Sequence, residues 1–215
     1  VEQSMDTQRR FVADAAHELR SPLTALSLQA ERLAEADMSS QAQARLVLLR
    51  RGIERSRNLL DQLLTLAKAQ TALDLPRSAV SVLGVYRHVL EDLLPLAEAK
   101  HIDIGVEGDL DVWVLVHEFD LITVIKNLVD NAIRYTPNEG RVDLSVAFEG
   151  QRARLQIKDS GPGISVNERL RVFDPFYRTL GSDQVGSGLG LSIVSAIAQR
   201  IGADVELDRK STRLN

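Results

Sequence analysis

The chain has 215 residues, a net charge of −4 and no cysteine. This length allows one large domain or two small ones, the lack of cysteine excludes disulfides and thiolate metal sites, and the charge does not indicate nucleic-acid binding. No apolar run is long enough to cross a bilayer, and no signal peptide is visible. Since the first residue is Val1 and not methionine, we expect a fragment of a longer protein.

Two long amphipathic helices are predicted first, over about 6–36 and 42–70, with a short polar stretch between them. Together they would form an antiparallel hairpin. One hairpin cannot bury both apolar stripes, whereas two hairpins can, so residues 1–70 are predicted to form a four-helix bundle as a homodimer. The stripes comprise Phe11, Ala15, Leu19, Leu26, Ala30 and Leu33, then Leu46, Leu49, Ile53, Leu60, Leu63 and Ala67. The arginines of the second helix are interpreted as a solvated face.

A histidine lies opposite the stripe of the first helix. His17 is followed by Glu18, and Ser21 lies one turn further on the same side. Pro22 is expected to kink the helix at this point. For a lone histidine, an ordinary surface position would be the more common interpretation, and only the residues downstream favour a chemical role.

The remainder of the chain alternates between helical and strand patterns. Residues 71–78, which include Pro76, are predicted to be a linker, and residues 79–215 a second domain. Strands are predicted over 79–82, 102–106, 112–115, 142–148, 154–158 and 204–207, and helices over 83–100, 118–135 and 189–201. Trp113 is expected in the core.

The helix over 118–135 presents amides on one face. Asn127, Asn131, Arg134 and Tyr135 are spaced i, i+4, i+7 and i+8. Amide oxygens suit Mg²⁺, and an arginine suits phosphate. Two asparagines by themselves would more simply be a polar solvent face.

Two glycine motifs follow. Asp159-Ser-Gly161-Pro-Gly163-Ile164 comes directly after a strand, where a carboxylate could accept a hydrogen bond from an exocyclic amine and glycines permit close approach of a ring. Asp-x-Gly is also a common turn. Gly186-Ser-Gly188-Leu189-Gly190-Leu191 immediately precedes a helix, whose amides and dipole could bind phosphate. It matches neither a Rossmann fingerprint nor a Walker A loop.

An aromatic run lies between these motifs. Phe173-Asp-Pro-Phe-Tyr177-Arg178 leads into a stretch containing Gly181 and Gly186. Glycines next to aromatic anchors predict a mobile lid.

The order of these motifs is far more specific than any one of them. In this order, over about 6–207, the chain resembles the two-component sensor histidine kinases, especially the QseC and PmrB group of bacterial membrane sensors. The resemblance implies a dimerisation and phosphotransfer hairpin followed by an α/β two-layer sandwich of the GHKL (Bergerat) ATP-binding type. It also implies the cytoplasmic portion of a protein anchored in the bacterial inner membrane.

The resemblance further implies individual roles. His17 would accept the γ-phosphoryl group of ATP on Nε2, Glu18 would be the general base, and Asp159 would bind adenine. Asn131 would bind Mg²⁺. Nucleotide contacts would come from Asn127, Asn131, Arg134, Tyr135, Asp159, Gly161, Gly163, Ile164, Arg178, Gly186, Gly188, Leu189, Gly190 and Leu191. Thr24 and Leu28 would help to dock the receiver domain of a response regulator.

Two departures from the family pattern concern activity and stability. The family usually carries threonine or asparagine at Ser21, where it positions water for dephosphorylation of the regulator, so this departure concerns phosphatase and not kinase activity. Members usually continue past the strand predicted at 204–207 into one more strand. Here the chain ends in RKSTRLN, so we expect the sheet to lack an edge strand.

Two other functions are compatible with an ATP-binding domain of this type: an ATPase and a scaffold that binds ATP. GHKL ATPases of the gyrase or Hsp90 kind carry a glutamate one turn before the metal asparagine, where this chain has Asn127. A scaffold that binds ATP without transfer would not need the His17-Glu18 pair. Both features favour a kinase.

Overall fold

The computed structural model describes residues 2–70, 76–108, 110–178 and 186–207, without the side chains of residues 2–14, 16 and 17. The chain divides into two compact units, Val1–Thr71 and Ala72–Asn215. The first is helical, and the second combines helices with strands. This order confirms the predicted fold class.

The first unit is a hairpin of two helices, α1 (Glu2–Ala34) and α2 (Ser40–Ala69). The side chain of Ser39 caps α2 by accepting a hydrogen bond from the backbone of Ala42 at 3.3 Å. Helix α1 continues through Pro22. The two predicted helices are therefore present, each within a few residues of its expected bounds.

Among the described side chains of the hairpin, two small clusters are buried between the helices: Leu60 and Leu64 with Leu23, and Ala30, Leu46 and Ile53 with Met38. Leu66, Ala67 and Ala69 near the end of α2 are also buried. The remaining stripe leucines of α1 and one of α2 are about half exposed, namely Leu19, Leu26, Leu33 and Leu49. Each helix thus buries only the part of its stripe that faces the other helix.

The second unit contains the following elements in chain order: β1 (Ser78–Ser81), α3 (Val82–Glu98), β2 (Asp103–Val106), β3 (Trp113–Val116), α4 (Glu118–Tyr135), β4 (Arg141–Glu149), β5 (Arg152–Asp159), a short 3₁₀ helix (Arg171–Phe173) and α5 (Gly190–Ile201). Strand β4 pairs in parallel with β2 and antiparallel with β5, while β1 and β3 form a separate antiparallel pair. Helices α3 and α4 share a continuous core with these strands that includes Val89, Ile125, Ile133 and Leu144. The unit is a layer of helices packed on strands.

Two predictions for this unit are wrong. Trp113 is 61% exposed, because alternation along β3 points Val112 and Val114 inward and Trp113 outward. The strand predicted at 204–207 has no regular secondary structure; the described part of this segment forms no ladder with β5 and is joined to it by the exposed Arg152–Asp204 pair at 2.7 Å. The prediction that the sheet lacks an edge strand applies to residues 208–215, and these lie outside the described residues.

None of the described helices combines the length and apolar character that crossing a bilayer requires.

Candidate functional site

Helix α4 supplies an oriented amide face. The Nδ2 group of Asn127 donates a hydrogen bond to the carbonyl of Thr123 at 2.8 Å. That bond leaves Oδ1 of Asn127 directed towards the start of α5. Asn131 lies one turn later, also half-buried. The two asparagines that the sequence singled out therefore share a face that is partly shielded from solvent.

Gly190 brings the first turn of α5 against this face. A β-carbon at position 190 would lie 3.2 Å from Oδ1 of Asn127 and 3.5 Å from Nδ2 of Asn131. The absence of a side chain thus keeps the two amides accessible beside a helix N-terminus, where unpaired backbone N–H groups and the helix dipole favour anions. Gly190, the side-chain amides of Asn127 and Asn131 and the N-terminus of α5 together form a polar site, which we call the cradle.

The loop before α5 is joined to the aromatic run. The backbone N–H of Phe176 donates to the carbonyl of Gly188 at 3.0 Å, and a β-carbon on Gly188 would lie 2.7 Å from the carbonyl carbon of Phe176. Gly188 has a φ of 73°, which also favours glycine. Leu189 is fully buried and fixes the loop, and Leu191 is half-buried. Among the described residues, no atom would contact a β-carbon on Gly186.

A second polar turn lies at the end of β5. Oδ1 of Asp159 accepts a hydrogen bond from the backbone of Gly161 at 2.8 Å, and among the described residues its other oxygen, Oδ2, has no hydrogen-bond donor. A β-carbon on Gly161 would meet Asp159 Oδ1 at 2.7 Å and the carbonyl oxygen of Tyr135 at 2.9 Å. Gly163 has a φ of 75°, and Ile164 beside it is half-buried. The glycines let this turn lie directly against the end of α4.

An open cleft of about 450 Å³ adjoins this turn. Its lining includes Tyr135, Thr136, Ser160, Gly161 and Pro162. Tyr135 is well exposed at the cleft. Arg134, one residue earlier, donates from Nε to Asp130 at 2.6 Å.

Lys100, which the sequence analysis did not single out, fixes the end of α4. Its ammonium group donates to the carbonyls of Ile133, Arg134 and Thr136 at 2.8, 2.9 and 2.5 Å. Burial, with a smaller contribution from the nearby Arg134 charge, lowers the pKa of Lys100. Neither the spacing nor the neighbours of Lys100 signalled this role, because its partners lie more than thirty residues away.

The aromatic run, Phe173 to Arg178, lies entirely within the described residues. The guanidinium of Arg171 lies 4.5 Å from the ring centre of Tyr177, a cation–π contact. Phe176 is exposed and has a φ of 64°, an uncommon conformation for a bulky residue. Arg178 is exposed. The lid predicted after it, 179–185, lies outside the described residues.

On the hairpin, the predicted residues share an exposed surface of α1. Glu18 and Ser21 are exposed, Leu28 is about half exposed, and Thr24 donates from its hydroxyl to the carbonyl of Arg20 at 2.9 Å. The side chain of His17 lies outside the described residues. Arg20 links α1 to α2 through Asp61 at 2.5 Å.

The residues of the second unit could hold a nucleotide and a hard cation. Within the described part of the chain, no group of three or more His, Cys, Asp or Glu side chains could hold a metal ion. The side-chain oxygens of Asn127 and Asn131 are hard, neutral donors of the kind that suit Mg²⁺. The cradle at Gly190 and the acceptor at Asp159 lie at the two ends of one helical turn, from Asn131 to Tyr135.

Comparisons with known proteins agree with this geometry. The family model described as "His Kinase A (phospho-acceptor) domain" matches residues 7–72, and the one described as "Histidine kinase-, DNA gyrase B-, and HSP90-like ATPase" matches residues 116–214. The sensor protein QseC of Escherichia coli K12 is 36% identical over 212 residues, 94% of this chain and 45% of that protein. The chain thus spans less than half the length of this relative.

Solved structures give the same family. The full-length ShkA structure in complex with AMPPNP is 30% identical with a TM-score of 0.76, covering 90% of this chain and 41% of that one. The mycobacterial sensor histidine kinase MprB is 31% identical with a TM-score of 0.53, covering 59% of this chain and 80% of that one. The resemblance seen in the order of the motifs is confirmed, and the chain belongs to the sensor histidine kinase family.

Proposed function

We propose that this chain is the catalytic core of a sensor histidine kinase, which autophosphorylates His17 from ATP and passes the phosphoryl group to an aspartate of a response regulator. The observation that carries the proposal is the cradle in which Gly190 faces Asn127 and Asn131. Its support is the match of both halves of the chain to the family models. Residues 1–70 would dimerise and carry the acceptor, and 79–215 would bind the nucleotide.

Asp159 is our candidate for recognition of the adenine amino group. The hydrogen bond from Gly161 occupies Oδ1 and leaves Oδ2 as an anionic acceptor. Tyr135 and Ile164 would contact the base, and Gly161 and Gly163 would allow it to lie close to the backbone. The ShkA structure was determined with AMPPNP, an ATP analogue, which supports ATP as the ligand of this site.

The triphosphate would lie along the amide face of α4 and the N-terminus of α5. Asn127, Arg134 and Arg178 would contact phosphate oxygens together with the backbone of residues 186–191. Asn131 would provide an oxygen ligand for Mg²⁺. When bound, Mg²⁺ would neutralise charge on the phosphate oxygens.

In the proposed transfer, the lone pair on Nε2 of His17 forms the P–N bond while the bond between the γ-phosphorus and the bridging oxygen breaks and its electrons leave with ADP. Glu18 would hold the proton on Nδ1, which fixes the reactive tautomer and stabilises the positive charge that develops on the ring. Phosphoryl transfer depends mainly on the alignment of the reactants and on neutralisation of charge, so the protein needs to supply little covalent catalysis.

The second transfer would occur on the exposed surface of α1. Thr24 and Leu28 would contact the receiver domain, whose aspartate takes the phosphoryl group from His17. Ser21 would be the residue that influences hydrolysis of the phosphorylated regulator. We further propose, from the relatives, that the full-length protein is anchored in the bacterial inner membrane with this portion in the cytoplasm.

The test is incubation of the chain with γ-labelled ATP and Mg²⁺. We expect label that is stable in base and labile in acid, as a phosphoramidate is, and that is absent in His17→Ala. Asn131→Ala should remove the Mg²⁺-dependent signal because its metal ligand is lost. Label that persists in His17→Ala contradicts the acceptor, and ATP hydrolysis without label would indicate an ATPase instead.

A further inference from the structure

Helices α4 and α5 meet at two places that lie far apart along their axes. At one end, Gly190 in the first turn of α5 contacts Asn127 and Asn131. At the other end, Nη2 of Arg200, in the last turn of α5, donates to Oδ1 of Asp120, in the first turn of α4. The helices are therefore antiparallel, and with a rise of about 1.5 Å per residue the two contacts are about 15 Å apart.

The Asp120–Arg200 pair is shielded from solvent. Asp120 is 5% exposed, and the side chain of Arg200 is 15% exposed. The exposed pair between Lys126 of α4 and Asp92 of α3 is different, since its side chains are 47% and 42% exposed. A buried charge that loses its partner is strongly destabilised, so the buried pair restricts where the end of α5 can lie on α4, whereas the exposed pair restricts little.

The charges also suit the helix ends at which they lie. Asp120 is at the N-terminus of α4 and Arg200 at the C-terminus of α5, and each complements the local helix dipole. Within α4, the side chain of Thr123 donates to the carbonyl of Phe119 at 2.7 Å, and that of Asn127 donates to the carbonyl of Thr123 at 2.8 Å. The orientation of Asn127 is thus fixed inside α4, whereas the position of Gly190 beside it depends on where α5 lies.

We propose that Asp120 and Arg200 are positioning residues that set the axial register of α5 on α4 and so hold Gly190 against the two asparagines. This inference rests on the proposed function of that cradle as the phosphate and Mg²⁺ site. Neither residue is among those proposed to contact the nucleotide. A small slide of α5 would displace the amides from the helix N-terminus, and a displacement of about 1 Å at such a site can cost a hundredfold in rate.

The test separates register from stability. Arg200→Met leaves Asp120 buried without its partner, and we expect lower thermal stability and about tenfold weaker binding of ADP with Mg²⁺. The double variant Asp120→Leu/Arg200→Met replaces the pair with apolar side chains, which can restore stability. We expect it to regain most of the melting temperature but not the affinity. Lys126→Met, which removes a lysine from the exposed pair, is the matched control: it should lower the melting temperature only slightly and leave the affinity unchanged.

A double variant that regains wild-type affinity, or Arg200→Met that binds ADP as the wild type does, would overturn the proposal. If the double variant does not fold, Arg200→Lys decides, because it keeps the charge: it should recover most of the affinity that Arg200→Met loses, and no recovery contradicts the proposal.

A measurement without nucleotide distinguishes this inference from the proposed function. The side-chain amide signals of Asn127 and Asn131 in the NMR spectrum of the nucleotide-free chain should shift in Arg200→Met and stay unchanged in Lys126→Met. Unshifted signals in Arg200→Met would overturn the positioning role. A wild-type chain that binds no ADP would instead overturn the proposed function.

Discussion

The two units differ in how completely they bury their own apolar residues. In the second unit, Ile125, Val129 and Ile133 follow one another along α4, each fully buried. In the hairpin, Leu26 in the second half of α1 is 53% exposed, although it belongs to an apolar stripe of the same kind. Similar apolar stripes are thus buried completely in the second unit and left about half exposed in the hairpin.

The difference indicates how each unit would work. A unit with a closed core can present a rigid nucleotide site without outside help. A hairpin with half of its leucines exposed forgoes much of the roughly 2 kcal/mol that burial of each leucine can contribute, which favours association with a second copy. We therefore propose a homodimer through the hairpin, and four changes test the comparison, in descending order of expected effect.

Ile53→Asp should break the hairpin. Ile53 is buried against Ala30 and Leu46, and an aspartate there would be an unpaired buried charge. We expect loss of the dimer in light scattering at micromolar concentration and loss of His17 phosphorylation, because the acceptor helix is no longer folded. Arg51→Asp adds the same side chain at an exposed position of α2 and should leave the dimer intact.

A fragment beginning at Ser78 completes this test. It lacks the hairpin, so we expect it to be monomeric and still to bind ATP. If the intact 215-residue chain were monomeric and its hairpin nevertheless stable and fully helical, the dimer argument would be refuted.

Ile125→Ala should destabilise the second unit by about 2–5 kcal/mol, because it leaves a cavity in a closed core. Leu26→Ala removes a half-exposed side chain and should cost far less in urea unfolding followed by circular dichroism. Its effect should appear in the dimer dissociation constant measured by sedimentation. If Ile125→Ala and Leu26→Ala lowered the free energy of unfolding equally, the second unit and the hairpin would not differ in how completely they bury these side chains.

Asp159→Asn should weaken ATP binding by about tenfold or more, since a hydrogen bond to a charged acceptor is lost and the amide can present a donor to the base. Calorimetry on the intact dimer measures this change, and the mass of the dimer should not alter. Asp103→Asn, at an exposed position of β2, is the matched control. Unchanged affinity in Asp159→Asn would count against its role in adenine recognition.

Asp92→Asn should have the smallest effect. The hydrogen bond from Lys126, together with its charge, holds the pKa of Asp92 below its ordinary value. A depressed pKa contributes stability above the unfolded value, near pH 4, and this contribution is lost as the pH falls through the folded value. The melting temperature of Asp92→Asn should therefore be slightly below that of the wild type at neutral pH and equal to it in acid. The same difference at both pH values would contradict a stabilising Lys126–Asp92 pair.

Much of the architecture could be predicted from local pattern. Helix α4 has the bounds that its periodicity predicts, and the hairpin and the β4–β5 pair lie within a few residues of expectation. The motifs around Asp159 and Gly190 were recognisable because glycines and short polar residues recur there at fixed spacing along the chain. What requires glycine at position 190 is distant in sequence, since a β-carbon there would meet Asn127 and Asn131.

The sequence by itself determined most of the helices and strands, although not the segment 204–207, and which family the order of motifs belongs to. Only the tertiary structure decided which face of β3 is covered, so that Trp113 is exposed, and that Lys100 fixes the end of α4. It alone brought Asp120 to Arg200, 80 residues away. The physical reason is that periodicity reports the shape of one element, whereas burial and ion pairing depend on which other element packs against it.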